Sequence, residues 1–593
     1  MTTDQATLFT LLVAVFALLI WGRWRYDLVA FIALLAAILL GLVPTDQAFS
    51  GFGHPATVII ALVLIVSKGL SNTGVIEYLG RLFVARGRRV GTHIAAMSGL
   101  AAALSAVMNN VAALALLMPL DLQAARKAGR TASETLMPLS FASILGGMIT
   151  LIGTPPNIVI AEYRADALGS PFQMFDFAPV GLACAVVGIA FVALVGWRLI
   201  PGERRSQDAR TELFELADYI AEVRVPEGSS VIGRKVRDLD EDAAKVDVEI
   251  VGLVRRGQRL PGLARTVEIR EDDRLVLEAS PESLEEAIGA LGLEYVGRGQ
   301  GMLADDELTL LEVVVQEGSS LAGRSAVDAR LLYRHRVALV GVSRQGARIR
   351  EHVRKLALRP GDVLLLLGEE ERLVDVARRL SLLPLADRGQ RIIQRNKAWP
   401  AVGLFAAAIL AASLGLVYLP IALGVVVAAY ALFGIVPLRE LYASIEWPVI
   451  VLLGSMIPIG IALETTGGTT LIATSIVDIA SGYSPLVVLT LLIVVTMTLS
   501  DVMNNTATAV IAAPIAVEIA GLLDANPDAF LMGVAVAASC AFLTPIGHKN
   551  NTLILGPGGY SFGDYWRMGL PLEILIVAVS VPMIALVWPL QAG

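Results

Sequence analysis

Two stretches of the sequence place adjacent asparagines inside apolar runs. They read LSAVMNNVAALALLMP over 104–119 and LSDVMNNTATAVIAAP over 499–514, with the pairs 109–110 and 504–505 separated by 395 residues. Amide and carbonyl oxygens suit a hard cation such as Na⁺, whereas helix N-termini and their N–H donors suit an anion. The pairs therefore predict a site for a cation and an anion, with interhelical hydrogen bonding as the structural alternative.

Asp501 is an ionisable residue beside the second pair. It follows Ser500, whereas Ala106 follows Ser105 in the first stretch. A carboxylate inside a membrane is costly and marks ion or proton pathways. We expect Asp501 to bind Na⁺ or to carry a proton, with a structural ion pair, for example to Lys68, as the alternative.

His548 and Lys549 are ionisable residues of a second polar segment. Lys549 stands where the first half has Pro155, and its ammonium could pair with an anionic substrate, occupy a cation's place, or face a cytoplasmic cavity and solvent. His548 either titrates near neutral pH or is a hydrogen-bonded loop residue. Both are candidate coupling residues.

The composition identifies the elements that must position these residues. The chain of 593 residues is 55% hydrophobic with a mean hydropathy of +0.68, which excludes an ordinary soluble protein. Of its 101 charged residues, 67 lie in 201–397, between apolar segments at 1–200 and 398–593. This pattern predicts a polytopic α-helical membrane protein with a soluble insert.

The two membrane halves repeat each other. SILGGMITLIGTPPN (143–157) matches SCAFLTPIGHKNN (539–551), with Gly153 aligned to Gly547 at an offset of 394. Pro and Gly cannot sustain a regular helix, so each segment predicts a broken helix. We expect two repeats, each with three helices, a re-entrant hairpin and two helices of which one is broken.

The flanking charges indicate that the repeats are inverted. Basic residues on both sides of a hairpin at about 92–120 predict entry from the cytoplasm. They are Arg81, Arg86, Arg88 and Arg89 before it, and Arg126, Lys127 and Arg130 after it. The hairpin at about 485–516 has no Lys or Arg in 467–484 or 516–528, which predicts entry from outside, a cytoplasmic insert and an external C-terminus.

The insert also repeats itself. VPEGSSVIGRKVRDL (225–239) matches VQEGSSLAGRSAVDA (315–329), and the strand-like runs VDVEIVGLV and RVALVGV occupy corresponding places. Such runs between Gly turns predict two small α+β domains, at 201–300 and 301–397.

The motifs resemble a known family. The Asn-containing tips, GTPPN and TPIG resemble the divalent anion/sodium symporters (DASS) of the ion transporter superfamily. TPIGHKNNTLILGPGGYSFGDYWRMG and the EGSS…GR units resemble the branch with two inserted RCK C-terminal (TrkA-C) domains. This resemblance implies a homodimer in the inner (plasma) membrane, a fixed scaffold, elevator-type alternating access, and an insert that either senses a small regulatory ligand or braces the dimer.

The resemblance also implies site residues by position, although the family's Ser-Asn-Thr tip reads Asn-Asn-Val and Asn-Asn-Thr here. The cation sites would use two sets of residues. These are Ser105, Asn109, Asn110, Gly147 and Gly153 for the first, and Ser500, Asn504, Asn505 and Leu543 for the second. The substrate would touch residues of both halves. These are Asn110, Thr154, Asn505, Thr506 and Pro545.

The function predicted from these observations is Na⁺-driven transport of a small anion, such as sulfate or a di- or tricarboxylate. Proton coupling or exchange through Asp501, Lys549 or His548 is the alternative. A cation/proton antiporter, an arsenite carrier and an RCK-gated channel fit less well. The sequence has no P-loop, nucleophile–base set or metal cluster, so we expect no enzyme activity, no cofactor beyond transported Na⁺, and no nucleic-acid partner.

Overall fold

A computed structural model gives the fold of the chain. It describes most of the membrane halves and the strands of the insert. The described residues are 1–21, 24–73, 90–128, 130–201, 220–239, 242–243, 248–255, 258–259, 267–278, 287–298, 309–335, 337–344, 347–349, 353, 355–368, 370–385, 397–479 and 483–591. The basic residues predicted to precede the first hairpin, Arg81 to Arg89, lie outside them.

The chain divides into two compact units. The first comprises Met1–Gly202, Arg391–Thr552 and Ser561–Gly593, and the second comprises Glu203–Gln390 and Leu553–Tyr560. The first unit contains the apolar helices and the second contains the strands.

The N-terminal half of the first unit is helical. Apolar runs predicted from sequence form these helices, with Pro at the first turn of α3 and α7, where a missing N–H costs nothing. They are α1 (Thr3–Trp21), α2 (Tyr26–Leu39), α3 (Pro55–Asn72), α4 (Val90–Ser105), α5 (Asn110–Lys127), α6 (Ser133–Gly147), α7 (Pro155–Leu168) and α8 (Ala178–Leu194).

The C-terminal half follows a similar order. After α9 (Glu370–Arg379), which belongs to the insert, the helices are α10 (Ala398–Ser413), α11 (Leu419–Leu432), α12 (Leu438–Ala443), α13 (Trp447–Thr465), α14 (Gly468–Ile479), α15 (Pro485–Ser500), α16 (Asn505–Leu522), α17 (Pro527–Ser539), α18 (Lys549–Leu555) and α19 (Tyr565–Val587). The C-terminal half has two helices more than the three predicted before the hairpin, α12 and α14. Turns that contain Gly divide the apolar sequence there, at 433–437 and 466–467.

The Asn-Asn pairs lie at the tips of two helical hairpins. In each hairpin a four-residue turn, 106–109 or 501–504, joins two packed helices. A helix of 16 residues, such as α4 or α15, is roughly 24 Å long, which is shorter than a hydrocarbon core of about 30 Å. Among the described residues, four segments are long and apolar enough to cross a bilayer, and several shorter apolar helices accompany them.

The insert contains two antiparallel sheets with equivalent strand orders. The first, β3-β2-β4-β1-β5, comprises β1 (Ile220–Arg224), β2 (Glu249–Arg255), β3 (Gln258–Arg259), β4 (Arg274–Glu278) and β5 (Glu294–Arg298). The second, β8-β7-β9-β6-β10, comprises β6 (Thr309–Val315), β7 (Ala338–Arg344), β8 (Ala347–Ile349), β9 (Val363–Gly368) and β10 (Leu382–Pro384). The register of the central pair shifts at Ile250/Gly252 in one sheet and at Leu339/Gly341 in the other. The sequence repeat of the insert is therefore also a repeat of structure.

Each sheet has an equivalent ion pair at the ends of two interior strands, β2 and β4 in the first sheet and β7 and β9 in the second. Arg255 binds Asp273 through two hydrogen bonds of 2.8 and 2.7 Å, and Arg344 binds Asp362 through bonds of the same lengths. The two aspartates are 2% and 1% exposed. The hydrogen bonds to these carboxylates raise the pKa of both arginines, so the guanidinium groups stay charged.

Arg344→Ala should destabilise the second sheet by about 3 kcal/mol, because it leaves the Asp362 carboxylate buried without its cation. Hydrogen exchange of β7 and β9 in the full-length protein measures the loss. Arg378→Ala, at an exposed position of α9, is the matched control. Unchanged protection in Arg344→Ala would show that the ion pair contributes little to the sheet.

Candidate functional site

The two asparagines of the first hairpin tip make different contacts. The Ser105 hydroxyl donates to Asn110 Oδ1 at 2.5 Å, and the side chains of both residues are buried. Asn109 Oδ1 instead accepts from the backbone N–H of Val111 at 2.8 Å, which caps the start of α5. Ser105 and Asn110 therefore form a buried polar pair, and Asn109 shapes the turn.

The second tip has the same arrangement. The Ser500 hydroxyl lies 3.0 Å from Asn505 Oδ1 and 2.7 Å from the carbonyl oxygen of Ala538. Asn504 Oδ1 accepts from the N–H of Thr506 at 2.9 Å and caps α16. The repeated Asn-Asn pair thus combines a helix cap and a buried amide in each half.

The predicted helix interruption is present beside the first tip. Helix α6 ends at Gly147 and α7 begins at Pro155. A Cβ at Gly153 would collide with the carbonyl oxygens of Gly147 and Ser105, and a Cβ at Gly147 would collide with the Asn110 side chain. Only glycine permits this approach, which brings four of the five residues predicted for the first cation site together. Asn109 joins them through a small pocket that it lines with Gly153 and Pro155.

The second interruption lies between the end of α17 at Ser539 and the start of α18 at Lys549. Thr544 Oγ1 donates to the carbonyl oxygen of Asp501 at 2.6 Å, as Thr150 Oγ1 does to that of Ala106 in the first half. A Cβ at Gly547 would lie 2.8 Å from the Asp501 carbonyl oxygen. Each interruption is therefore attached to its hairpin turn by equivalent contacts.

The backbone of predicted site residue Leu543 has a specific partner. Its N–H donates to Asp501 Oδ1 at 2.9 Å. The structure thus joins Leu543 to the hairpin tip through the carboxylate of Asp501.

Where the helices are interrupted, backbone carbonyl groups lose their helical hydrogen bonds. The side chains of Asn157 and Asn551 donate hydrogen bonds to some of these groups. Asn157 Nδ2 donates to the carbonyl oxygen of Thr150 at 2.9 Å, and Asn551 Nδ2 donates to those of Ala541 and Thr544 at 2.9 and 3.1 Å. Neither asparagine was predicted to be a functional residue. The sequence signal for them is an asparagine four residues after the glycine that the two halves share, in GTPPN and in GHKNN.

The first tip also contacts the second interruption. Asn550 Nδ2 donates to the Asn110 carbonyl oxygen at 3.3 Å and to the Ser143 hydroxyl at 2.6 Å. His548 Nε2 lies 3.4 Å from Asn110 Nδ2, and His548 Nδ1 accepts from the N–H of Asn550 at 3.1 Å. His548 is therefore a hydrogen-bonded loop residue at the first tip, as one of the two sequence interpretations expects.

The lysines pair with carboxylates that sequence reasoning did not identify. Lys549 Nζ lies 2.6 Å from Glu446, and Lys68 Nζ lies 3.7 Å from Glu440. The suggested pair between Lys68 and Asp501 is therefore wrong, because the lysine points to the start of α12 instead.

The remaining residues predicted for substrate binding are also near the tips and interruptions. Thr506 is a buried residue in the first turn of α16, and Thr154 is the N-cap residue of α7. Pro545 lies in the second interruption. All three are buried, and Pro545 accepts a hydrogen bond from Thr552 at 2.6 Å. Helix α16 packs on α7, which places Thr506 on a helix that contacts the first interrupted one.

Apolar helices with two buried hairpin tips, each held against an interrupted helix, are features of a membrane transporter. A family model described as a citrate transporter (CitMHS) matches residues 16–527 and 488–592. The chain belongs to this family of transporters.

Two relatives match along nearly the whole chain, and a third matches part of it. An uncharacterized transporter of Synechocystis sp. is 31% identical over 98% of this chain and 97% of its own length. The uncharacterized transporter YfbS of Escherichia coli is 30% identical over 98% of each. Sodium/sulfate cotransporter 1 of Chlamydomonas reinhardtii is 26% identical over 61% of this chain and 43% of its own length. These relatives are named for transport.

Asn551→Ala should lower the free energy of unfolding by about 2 kcal/mol, because it leaves buried carbonyl groups without donors. Thermal unfolding of the purified protein in detergent measures the change. Thr498→Ala is the control, since that exposed hydroxyl bonds only within α15. Equal melting temperatures for both variants would contradict the role assigned to Asn551.

Proposed function

We propose that the protein is a secondary active transporter that carries a small anion, such as sulfate or a di- or tricarboxylate, in a Na⁺-coupled cycle. The observation that carries this proposal is the recurrence, in both halves, of one set of contacts. In each half a tip serine bonds a tip asparagine, and a threonine of the interruption bonds the carbonyl group of the hairpin turn. A duplicated site of this kind is typical of secondary transporters.

The chemistry of the first site supports a cation. The carbonyl oxygens of Ser105 and Gly147 converge on Gly153, beside the Asn110 side chain. Oxygen ligands without a formal charge suit Na⁺, a hard monovalent cation. For the second site we propose the corresponding groups of Ser500, Asn504, Asn505 and Leu543.

The start of α16 supports an anion. Asn505 and Thr506 lie in its first turn, where free N–H groups and the helix dipole favour negative charge. With Asn110, Thr154 and Pro545, they form our proposed substrate contacts. The description of the family as a citrate transporter and the name of the sodium/sulfate relative support this class of substrate.

The wider architecture of the proposal comes from the family resemblance and the charge pattern. We propose inverted repeats, a homodimer in the plasma membrane, elevator-type movement of the tips and interruptions, a cytoplasmic insert and an external C-terminus. The two sheets of the insert are proposed as RCK C-terminal-like domains that bind a small regulatory ligand.

Proton coupling or exchange is the second candidate. Asp501 favours it, because this carboxyl is 2% exposed and sits at the tip, where the first half has an alanine. Lys549 is the less favoured proton carrier, since its ammonium is paired with Glu446.

Ligand-dependent thermal stability tests the proposed function. A substrate that binds only the folded protein stabilises it by about 2.7 kcal/mol at a concentration of about 100 times Kd. We expect one of sulfate, citrate, succinate or malate to raise the melting temperature in Na⁺ and not in choline. A shift that ignores Na⁺ and follows pH would favour the second candidate, and no shift with any anion would contradict the proposal.

Asn110→Ala and Asn505→Ala should each abolish Na⁺-driven uptake into proteoliposomes, because each removes an amide from a proposed cation and substrate site. Asn526→Ala is the matched control, since Asn526 caps α17 outside these sites. We expect it to keep uptake and to lose about 1 kcal/mol of stability. Wild-type uptake by both tip variants would reject the site assignment.

A further inference from the structure

The C-terminal end of α18 and the turn after it belong to the compact unit of the insert. Leu553–Tyr560, which reads LILGPGGY, lies in the same unit as Glu203–Gln390. All of its residues except Leu555 are buried. The segment closes on itself, because the N–H of Tyr560 donates to the carbonyl oxygen of Leu555 at 2.9 Å. We call residues 553–560 the docking segment, and α18 therefore starts in one compact unit and ends in the other.

The docking segment packs against the turn that precedes β9. A Cβ at Gly556 would collide with the carbonyl oxygen of Gly361 and lie 3.1 Å from Cγ2 of Val363. Only glycine at position 556 allows this approach of two backbones. The turn is anchored within its own sheet, since Asp362 is the buried carboxylate that Arg344 binds. The docking segment therefore contacts a well-anchored part of the second insert domain.

The equivalent turn of the first insert domain has a different surface. The two turns read REDDR (270–274) and RPGDV (359–363). Arg274 begins β4 and is exposed, whereas Val363 begins β9 and is 3% exposed. Side chains alternate along a strand, and the next residue, Leu364, lies in the domain core, so Val363 points to the opposite face. The docking segment thus contacts an apolar position of the second domain that is charged and exposed in the first.

Helix α18 connects the docking segment to the candidate site. It has only 7 residues, and so short a helix depends on the contacts that hold it. Asn551 donates to the carbonyl oxygen of Thr544 at 3.1 Å. Thr552 donates to the carbonyl oxygen of Pro545, a proposed substrate contact, at 2.6 Å. Movement at the C-terminal end of α18 therefore acts on the backbone of the second interruption.

We infer that the second insert domain regulates transport by holding the docking segment. The inference rests on the proposed transport function and names the route by which the insert acts on it. The turn at 359–362 holds the C-terminal end of α18, and α18 holds the second interruption in the geometry that binds the anion. The first domain has a charged turn at the equivalent place, so the two domains of the repeat have different roles.

Coupling of this kind is reciprocal. A solute that binds the second domain and shifts the turn at 359–362 changes the affinity of the transport site for its anion. The anion then changes the affinity of the insert for that solute by the same factor. The docking segment is the physical connection on which both act.

Val363→Arg tests the contact, because it gives the second turn the residue that the first domain carries at the corresponding position. The sheet therefore accommodates the arginine, while the guanidinium is placed against the docking segment. Hydrogen exchange of the purified full-length protein should be about fivefold faster, or more, in residues 549–556, with β7 still protected. Arg274→Val, the converse change in the first domain, is the matched control and should leave exchange in 549–556 unchanged.

Gly556→Ala tests the same contact from the other side. Its methyl group would collide with the carbonyl oxygen of Gly361, so it should give the same increase in exchange. Gly563→Ala is the matched control, because a Cβ there would meet open space among the described residues. A variant that loses the protection of β7 has lost the second sheet, and the other variant then decides.

Anion uptake tests the regulation. The anion used is whichever of sulfate, citrate, succinate and malate the wild type takes up into proteoliposomes. Val363→Arg and Gly556→Ala should each raise its half-saturating concentration by about fivefold or more, because a loosened α18 positions the second interruption less well. Arg274→Val and Gly563→Ala should keep the wild-type value.

The outcomes separate the two proposals. Wild-type exchange of residues 549–556 in both test variants, or a change that the controls share, overturns the inference even when uptake is normal. Faster exchange with an unchanged half-saturating concentration overturns the regulation. Faster exchange in the test variants, together with no uptake of any of the four anions by the wild type, supports the connection between the insert and α18 and contradicts the proposed function.

Discussion

The structure depends on one constraint, which is that a helix interrupted inside a membrane must find partners for its freed backbone groups. Hydrocarbon offers no hydrogen bonds, so each released carbonyl or N–H group has to be satisfied by the protein. Asn157 and Asn551 meet this need from the helix that follows each interruption. Thr150 and Thr544 then attach the interruptions to the hairpin turns. Polar side chains next to the candidate site therefore satisfy its irregular backbone.

This shared framework makes the differences between the halves informative. Both tips have the serine, the two asparagines and the threonine partner, but the second also has a carboxyl group, Asp501, which accepts a hydrogen bond from its interruption. A lysine, Lys549, begins the helix after the second interruption, where a proline begins the one after the first, and Glu446 at the start of α13 pairs with it. Next to the tips, these two charged groups therefore belong to the second half, whereas the uncharged hydrogen bonds are common to both. An asymmetry of this kind is expected where one half handles a charged solute or ion and the other repeats its geometry.

Much of the helical fold could be predicted from sequence, because a span of apolar residues in a membrane has few alternatives to a helix. The interruptions at GTPPN and TPIGHKNN were also predictable, since Pro and Gly disrupt regular helices. The partner of Lys549 was not predictable. Glu446 lies 103 residues earlier in the sequence, next to a helix whose contacts depend on tertiary packing. Helices α12 and α14 were missed because short turns inside apolar sequence leave little periodic signal.

The bonds between Asn550, Asn551 and the serines of α6 have a consequence for how the chain is made. Ser140 donates to Asn551, and Asn550 donates to Ser143, across separations of 411 and 407 residues. During synthesis, α6 emerges long before its partners, and the whole insert is translated in between. At about 5–20 residues per second, these serines wait on the order of half a minute for the C-terminal half. The N-terminal half is therefore an incomplete folding unit. It can complete its hydrogen bonds only after Asn550 and Asn551, close to the C-terminus, have been synthesised.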